Sequence, residues 1–286
     1  MQDIRVLFLA PNWRVSLLRS FKKPTAIKIF IVGADSDSNS AALRVVDKSY
    51  VIPEFSEPNC VEKIKTICDK ENINAIFPMT NKAIEFLDKN RAGFNDGDLL
   101  IYLADHTTIE TCNDKRRLAE FFTRNNFASP DLIDPKKTFP GFSLIAKNSC
   151  GEGGKNYFKI EDQIELDFYS KKLPNHIFQQ FVQGREFSID WFSDKTGLPV
   201  VVVPRERLIV RAGEVMVSRI QLISKIIEPA KRLGVQLQLR GPANLQGFLD
   251  ASGEFLFTDV NLRFGSGVLH TIHAGGNIPE MLIKEL

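Results

Sequence analysis

The chain has 286 residues, 37 basic against 35 acidic, for a formal charge of +2. That balance gives no electrostatic case for a nucleic-acid or membrane partner, and no apolar run reaches the about 18 residues a transmembrane helix needs. The length suffices for two or three subdomains with real cores. Cys60, Cys68, Cys112 and Cys150 show neither CxxC nor His/Cys metal spacing, and with no signal-peptide pattern they read as reduced thiols of a cytoplasmic protein.

Residues 5–10 and 27–32 are apolar runs of strand length, with a short helix over 16–21 between them. Residues 50–52 and 75–78 supply further strands, and 60–71 has the spacing of an amphipathic helix. Strands alternating with helices predict an α/β, doubly wound parallel sheet. Asp35, Asp37 and residues 79–81 fall at strand C-termini, where such sheets bind ligands. The first strand ends in Ala10-Pro11-Asn12-Trp13 instead of GxGxxG, which argues against a dinucleotide site. Residues 113–126 read as one capped helix, and the proline-flanked stretch 134–140 as a link into the strands beyond it.

Residues 142–147 form a short apolar strand that delivers Lys147 to its end. A loop with Gly151, Gly153 and Gly154 comes after it, then a strand over 157–160. Glycines let a backbone fold its amides over a polyphosphate, but this loop runs into a strand, unlike the Walker and dinucleotide fingerprints. A plain hairpin turn is the alternative. Next comes a strand through Gln179, Phe181 and Val182, a kink at Gly184, and an alternating strand carrying Glu186. The interruption frees backbone groups at Phe181 and Val182 for an adenine edge, and Glu186 could accept two ribose hydroxyls. An ordinary exposed carboxylate is the competing view of Glu186.

Residues 200–214 place Arg205 and Arg207 on one strand face, with Arg211 further along. Guanidinium forks bind carboxylates bidentately, so all three are candidates for gripping an acid; a solvated edge strand is the alternative. Near the end, Gln246 lies on a strand over 245–249, and the turn 250–253 would bring that strand alongside the one carrying Asp259, Asn261 and Arg263. Spaced by two, those three project from one face, while Val260, Leu262 and Phe264 fill the other. A carboxylate and amide oxygens suit Mg²⁺, and a guanidinium beside them suits a phosphoryl group. His106, His176, His270 and His273 lack the partners of a nucleophilic triad, and the last two read as residues of a helix start.

The order of these motifs resembles the ATP-grasp superfamily, especially its carbamoyl-phosphate-synthase-like branch. The likeness runs from about Asn113 to the C-terminus: the pair Asp114-Lys115, the strand-end Lys147, the glycine loop, the hinge to Glu186, Asn244-Leu-Gln246 and Asp259-Val-Asn261-Leu-Arg263. The resemblance implies a Rossmann-like domain over 1–112, then a two-lobed α+β ATP-grasp domain over 113–286 with a lid at about 142–181. It implies that Lys115 and Lys147 clamp ATP phosphates under Gly151, Gly153 and Gly154. Gln179, Phe181 and Val182 would meet adenine, and Glu186 the ribose. Gln246, Asp259 and Asn261 would hold Mg²⁺, for which Mn²⁺ could substitute, while Arg211 and Arg263 would serve the transferred phosphoryl and acyl groups. Two departures touch the metal set: Asp259 is one methylene shorter than the usual Glu, and Leu262 stands where relatives carry Pro.

The implied activity joins a small carboxylic acid to an amine-type nucleophile through an acyl phosphate, releasing ADP and phosphate. Alternatives are carbamoyl-phosphate-synthase-like activation of bicarbonate and a non-catalytic ATP-binding sensor. A homodimer or a partner subunit completing the C-terminal side of the site is left open.

Overall fold

The computed structural model describes residues 4–23, 27–94, 99–137, 141–151, 157–211 and 213–286. Its first part strings together β1 (Ile4–Leu9), α1 (Val15–Phe21), β2 (Ile29–Asp35), β3 (Lys48–Val51), α2 (Cys60–Glu71), β4 (Ala75–Pro78), α3 (Asn81–Lys89) and β5 (Leu100–Ile101). The five strands form one parallel sheet in the order β3-β2-β1-β4-β5. Both faces are covered, which is why β1 reads as an unbroken apolar run. Val6 and Phe8 enter one core, while Leu7 and Leu9 enter another with α2 and α3. The chain leaves β1 toward β2 and later returns to its other side with β4. The switch point of the sheet therefore lies at the C-terminal ends of β1 and β4.

Two helices come next, α4 (His106–Asn113) and α5 (Lys115–Arg124), in place of the single helix expected over 113–126. Asp114 breaks the run: it is extended, and its carboxylate accepts the amides of Arg116 and Arg117 at 2.8 and 3.3 Å. That cap starts a new helix with Lys115 as its first residue.

The next elements are β6 (Leu132–Ile133), β7 (Leu144–Asn148), β8 (Phe158–Ile160), α6 (Gln163–Lys172) and β9 (His176–Gln180). They form an antiparallel sheet ordered β6-β9-β7-β8, with Leu144, Ala146, Ile160, Leu166 and Phe178 as its small core. The rest comprises β10 (Gly184–Ser193), β11 (Pro199–Arg211), β12 (Glu214–Ile220), α7 (Ser224–Gln236), β13 (Gly241–Asp250), β14 (Phe255–Asn261), α8 (Val268–His273) and α9 (Ile278–Glu285). Its strands form a second antiparallel sheet, β12-β11-β10-β13-β14.

This larger sheet has two unlike faces. One carries Phe187, Ile189, Trp191, Leu245 and Phe257 against Leu118 and Phe122 of α5 and Ile226, Ala230 and Leu233 of α7. Helix α7 approaches so closely that a Cβ on Gly234 would sit 2.2 Å from the Trp191 ring. The other face carries Glu186, Ser188 and Asp190 on β10, Arg205 and Arg207 on β11, and Asn244 and Gln246 on β13. The register pairs Ser188 with both Arg205 and Gln246, Asp190 with Asn244, and Gln246 with Asp259. Among the described residues, no helix is long and apolar enough to cross a membrane.

Candidate functional site

The polar face of the larger sheet meets the smaller sheet at three charged side chains. Lys115, the first residue of α5, places its Nζ 3.8 Å from Oδ1 of Asp259, and Lys147 at the end of β7 places its Nζ 3.6 Å from Oδ2. Lysines from two different elements thus converge on one carboxylate of a third. Backbone contacts fix the approach: the Lys115 amide donates to the Ser149 carbonyl at 2.8 Å, and Lys115 Nζ donates to the Gly151 carbonyl at 3.1 Å. On the other side, a register shift between Gln246 and Gly247 leaves Thr258 out of the ladder, and its carbonyl accepts from Lys147 Nζ at 3.5 Å.

These side chains lie in a cleft, with exposures of 19, 16 and 27 % for Lys115, Lys147 and Asp259. Burial pulls the Lys147 ammonium below its ordinary pKa; Asp259 opposes that shift and Lys115 adds to it. Two lysines on one carboxylate carry a net positive charge at a site lined by backbone carbonyls. An anion with several oxygens would be drawn to it.

Glu186 lies on the same face, with an Oε1 that accepts from Arg207 Nη1 at 2.5 Å. Arg207 also donates to the Gly213 carbonyl at 3.1 Å. Burial raises the Glu186 carboxyl above the usual range, Arg207 works against that, and Asp259 adds to it. Glu186 is therefore not a plain exposed carboxylate. It is a half-buried group already holding an arginine.

The hinge follows the expected break only in part. Strand β9 stops at Gln180 and β10 starts at Gly184, as the kink required. Gln179, however, is 3 % exposed, and its side-chain amide donates to the Pro130 carbonyl at 3.0 Å, so that side chain is structural. The Phe181 amide is also taken, donating to the Ser143 carbonyl at 3.1 Å. Val182 keeps an amide with no backbone partner among the described residues. Gly151 has φ +111°, a conformation that favours glycine, and Gly153 and Gly154 lie outside the described residues.

The two arginines expected at the reacting groups stand at or just past strand ends. Arg211 is exposed at the tip of the β11–β12 hairpin, paired across it with Glu214. Arg263 does not continue the alternation of Asp259 and Asn261, because β14 ends at Asn261. Its Nε donates instead to Asn81 Oδ1 at 3.1 Å, at the start of α3 and beside the switch point of the parallel sheet. Arg14 donates to the Phe264 carbonyl at 3.2 Å in the same region.

Gln246, Asp259 and Asn261 stay together on adjacent rungs: Gln246 pairs with Asp259, and Asn244 with Asn261. Among the described residues, no cluster of three His, Cys, Asp or Glu side chains could hold a metal. The donors present are one carboxylate and two amides. That hard-oxygen set fits Mg²⁺, which takes one or two carboxylates and completes its shell with phosphates and water.

Arg205 contradicts both sequence readings, for it neither grips a substrate nor lines a solvated edge. It is fully buried, with Nε 2.6 Å from Asp190 Oδ2 and Nη2 3.0 Å from Oδ1. Thr271 Oγ1 donates to Asp190 Oδ2 at 2.6 Å, and Asn244 Nδ2 to Oδ1 at 3.2 Å. Nη1 reaches Ser218 Oγ at 3.4 Å, and that hydroxyl bonds His270 Nδ1. Asp190, Ser218 and Thr271 escaped the sequence reading. The available signal was the spacing of Glu186, Ser188 and Asp190 by two, opposite Arg205 and Arg207 spaced by two.

A family model described as the PylC-like N-terminal domain matches residues 6–101, and one described as the ATP-grasp domain matches residues 112–267. A carbamoyl-phosphate synthase of Methanobrevibacter smithii is 21% identical over 165 residues, covering 54% of this chain and 44% of that protein. The chain therefore spans less than half the length of this curated relative. Among solved structures, biotin carboxylase of Campylobacter jejuni superposes with a TM-score of 0.78 at 17% identity, over 99% of this chain and 70% of that one. An L-amino acid ligase of Bacillus licheniformis gives 0.75 at 17%, over 100% and 74%. At such identity these two likenesses are likenesses of fold.

Proposed function

Because the chain belongs to the ATP-grasp superfamily, we propose that it is an ATP-dependent carboxylate–amine ligase of the carbamoyl-phosphate-synthase-like branch, to which its 21% identical relative points. Residues 1–112 form the Rossmann-like domain of this reading and 113–286 the ATP-grasp domain, with its lid at about 142–181. The convergence of Lys115 and Lys147 on Asp259 carries the proposal.

A carboxylate resists attack because its charge is delocalised and oxide is its leaving group. Phosphorylation removes both obstacles. An oxygen of the acid attacks the γ-phosphorus, the bond to the β,γ-bridging oxygen breaks, and ADP departs. The amine nitrogen then bonds the acyl carbon, phosphate leaves, and the nitrogen loses a proton. No protein nucleophile is needed; the chain aligns the partners and balances charge.

In this scheme Lys115 and Lys147 exchange Asp259 for phosphate oxygens. The Val182 amide meets the adenine edge. Glu186 exchanges part of its contact with Arg207 for ribose hydroxyls. Gln246, Asp259 and Asn261 would hold Mg²⁺, which when bound neutralises charge on the transferring phosphoryl group. Arg263, joined to Asn81, sets that end of the site against the switch point of the parallel sheet. Arg211, at the end of β11, would grip the acid.

The test is ADP and phosphate release from ATP and Mg²⁺ across a panel of carboxylic acids, with hydroxylamine as the trapping amine. Acid-dependent ADP release with hydroxamate formation is expected. ATP binding without turnover across the panel overturns the ligase reading in favour of a sensor. The match to a carbamoyl-phosphate synthase and the fold likeness to a biotin carboxylase favour one second reading, with bicarbonate as the acid. ATP turnover that depends on bicarbonate alone would select it.

A further inference from the structure

Gln246 stands on the rung opposite Asp259, but an amide has two ends of nearly equal size and opposite polarity. Only its oxygen can serve a cation. A flipped amide would turn its NH₂ toward the metal and repel it. Something must therefore choose the end.

The choice can be traced inward. Asp190 is a carboxylate and can only accept, so Asn244 must turn Nδ2 toward it, at 3.2 Å from Oδ1. The same nitrogen also approaches the Ile189 carbonyl at 3.5 Å. With Nδ2 committed, Asn244 Oδ1 points the other way and accepts from Gln246 Nε2 at 3.1 Å. Gln246 has then spent a donor on Asn244, and Oε1 is the end left for the cleft.

The inner end cannot rotate either. The side chains of Asp190 and Arg205 are each 1 % exposed, and Asp190 is held by two arginine contacts and by Thr271. The loop after β14 seals the chain of contacts. A Cβ on Gly265 would come within 2.6 Å of Asn244 Nδ2, and one on Gly267 within 2.3 Å of Arg205 Nη1. Any side chain at either position would push the network apart.

We infer that Asp190, fixed by Arg205, is a positioning residue that acts through Asn244 to aim the oxygen of Gln246 at a divalent cation beside Asp259. The inference rests on the ligase reading, because it takes a cation at this site. It assigns Asp190 and Asn244 a task that burial alone does not.

A double-mutant cycle read by Mn²⁺ binding tests it. The wild type, Asn244→Leu, Gln246→Glu and the double variant are titrated with Mn²⁺ by electron paramagnetic resonance, in the presence of a β,γ-imido analogue of ATP. Asn244→Leu should weaken Mn²⁺ binding roughly tenfold, the lower end of what loss of a metal ligand's supporting partner costs. Analogue affinity without metal should stay unchanged, a separation that general loosening would not produce. In the Gln246→Glu background the same change should matter less than about twofold, because a carboxylate has no wrong end to present. Equal losses in both backgrounds, or no loss in the first, overturn the inference and leave the ligase reading standing. A wild type that binds no Mn²⁺ with the analogue overturns both. Thermal unfolding shows whether Asn244→Leu folds; if it does not, Asn244→Ser replaces it in the same cycle, with a hydroxyl too short to hold Gln246.

Discussion

Two arginine–carboxylate pairs stand on neighbouring rungs of the same two strands, and they have opposite characters. Arg205 and Asp190 are sealed under α8 and the glycine loop after β14, and each of the three guanidinium nitrogens of Arg205 has a partner. Arg207 and Glu186 face the cleft with exposures of 8 and 33 %, and Arg207 Nε has no partner among the described residues. One pair is saturated and fixed. The other holds a contact it can exchange. A sheet can thus carry both its scaffold and its working surface on one face, separated by two residues.

The largest effect should come from breaking the sealed pair. Asp190→Ala leaves a buried guanidinium uncompensated, and loss of about 3–5 kcal/mol is expected in denaturant unfolding. Arg207→Ala, the matching cut in the open pair, leaves a carboxylate that is one third exposed and can take up water, so the loss in the same assay should stay below about 3 kcal/mol. Comparable losses would erase the distinction between them.

Next in size is the cleft carboxylate. Asp259→Asn removes the charge that the lysines share and that the proposed Mg²⁺ would share, so kcat should fall on the order of 10²–10³, the scale of losing one preorganised electrostatic partner. Binding of the adenine moiety, followed with the analogue in metal-free buffer, should be spared. Full Mg²⁺-dependent turnover in this variant would refute the metal assignment.

A smaller effect sharpens the role of the open pair. Glu186→Gln should raise the KM for ATP about tenfold with kcat nearly unchanged, because a ribose contact is made alike in the ground and transition states. A fall in kcat at constant KM would move Glu186 into the chemistry instead.

The smallest effect concerns the edge of the sealed network. Burial first, and Arg205 second, hold the His270 imidazole below its ordinary pKa. The unfolded chain therefore binds the proton more readily than the folded one, and stability rises with pH across that window. The contribution is complete above the unfolded value of about 6.5 and is lost as pH falls through the lower folded value. His270→Gln should flatten the acid side of a plot of melting temperature against pH and leave the neutral side alone.

Local patterns made much of this legible in the sequence. The helix over 60–71 and the strand over 75–78 emerged from period alone, and the two-residue spacing of Asp259 and Asn261 gave the right face. The turn over 250–253 sets the strands of Gln246 and Asp259 side by side, as expected, but their pairing depends on the bulge at Thr258, which no spacing announces. What failed depended on distant chain. Arg205 reads as a grip for an acid or as a solvated residue because the elements that bury it come some sixty residues later, and nothing near it reveals that Gly267 lets a loop settle on its guanidinium. Alternation carried Arg263 past the end of β14, where a partner on α3 rather than the strand decides its direction. Asp114 broke a helix that periodicity would have continued, because a side-chain cap outweighs the pattern around it.

One face of the parallel sheet is finished by residues from the far end of the sequence. Val6, Phe8 and Phe77 share a core with Phe264, Val268, Ile272, Ile278 and Leu282. As the chain leaves the ribosome, β1 through β5 can align early against α1, yet this core is complete only when α8 and α9 arrive. Assembly of the first segment is thereby postponed to the moment when the strand bearing Asp259 is also in place. The platform of the first segment is thus closed by the same tail that follows Asp259.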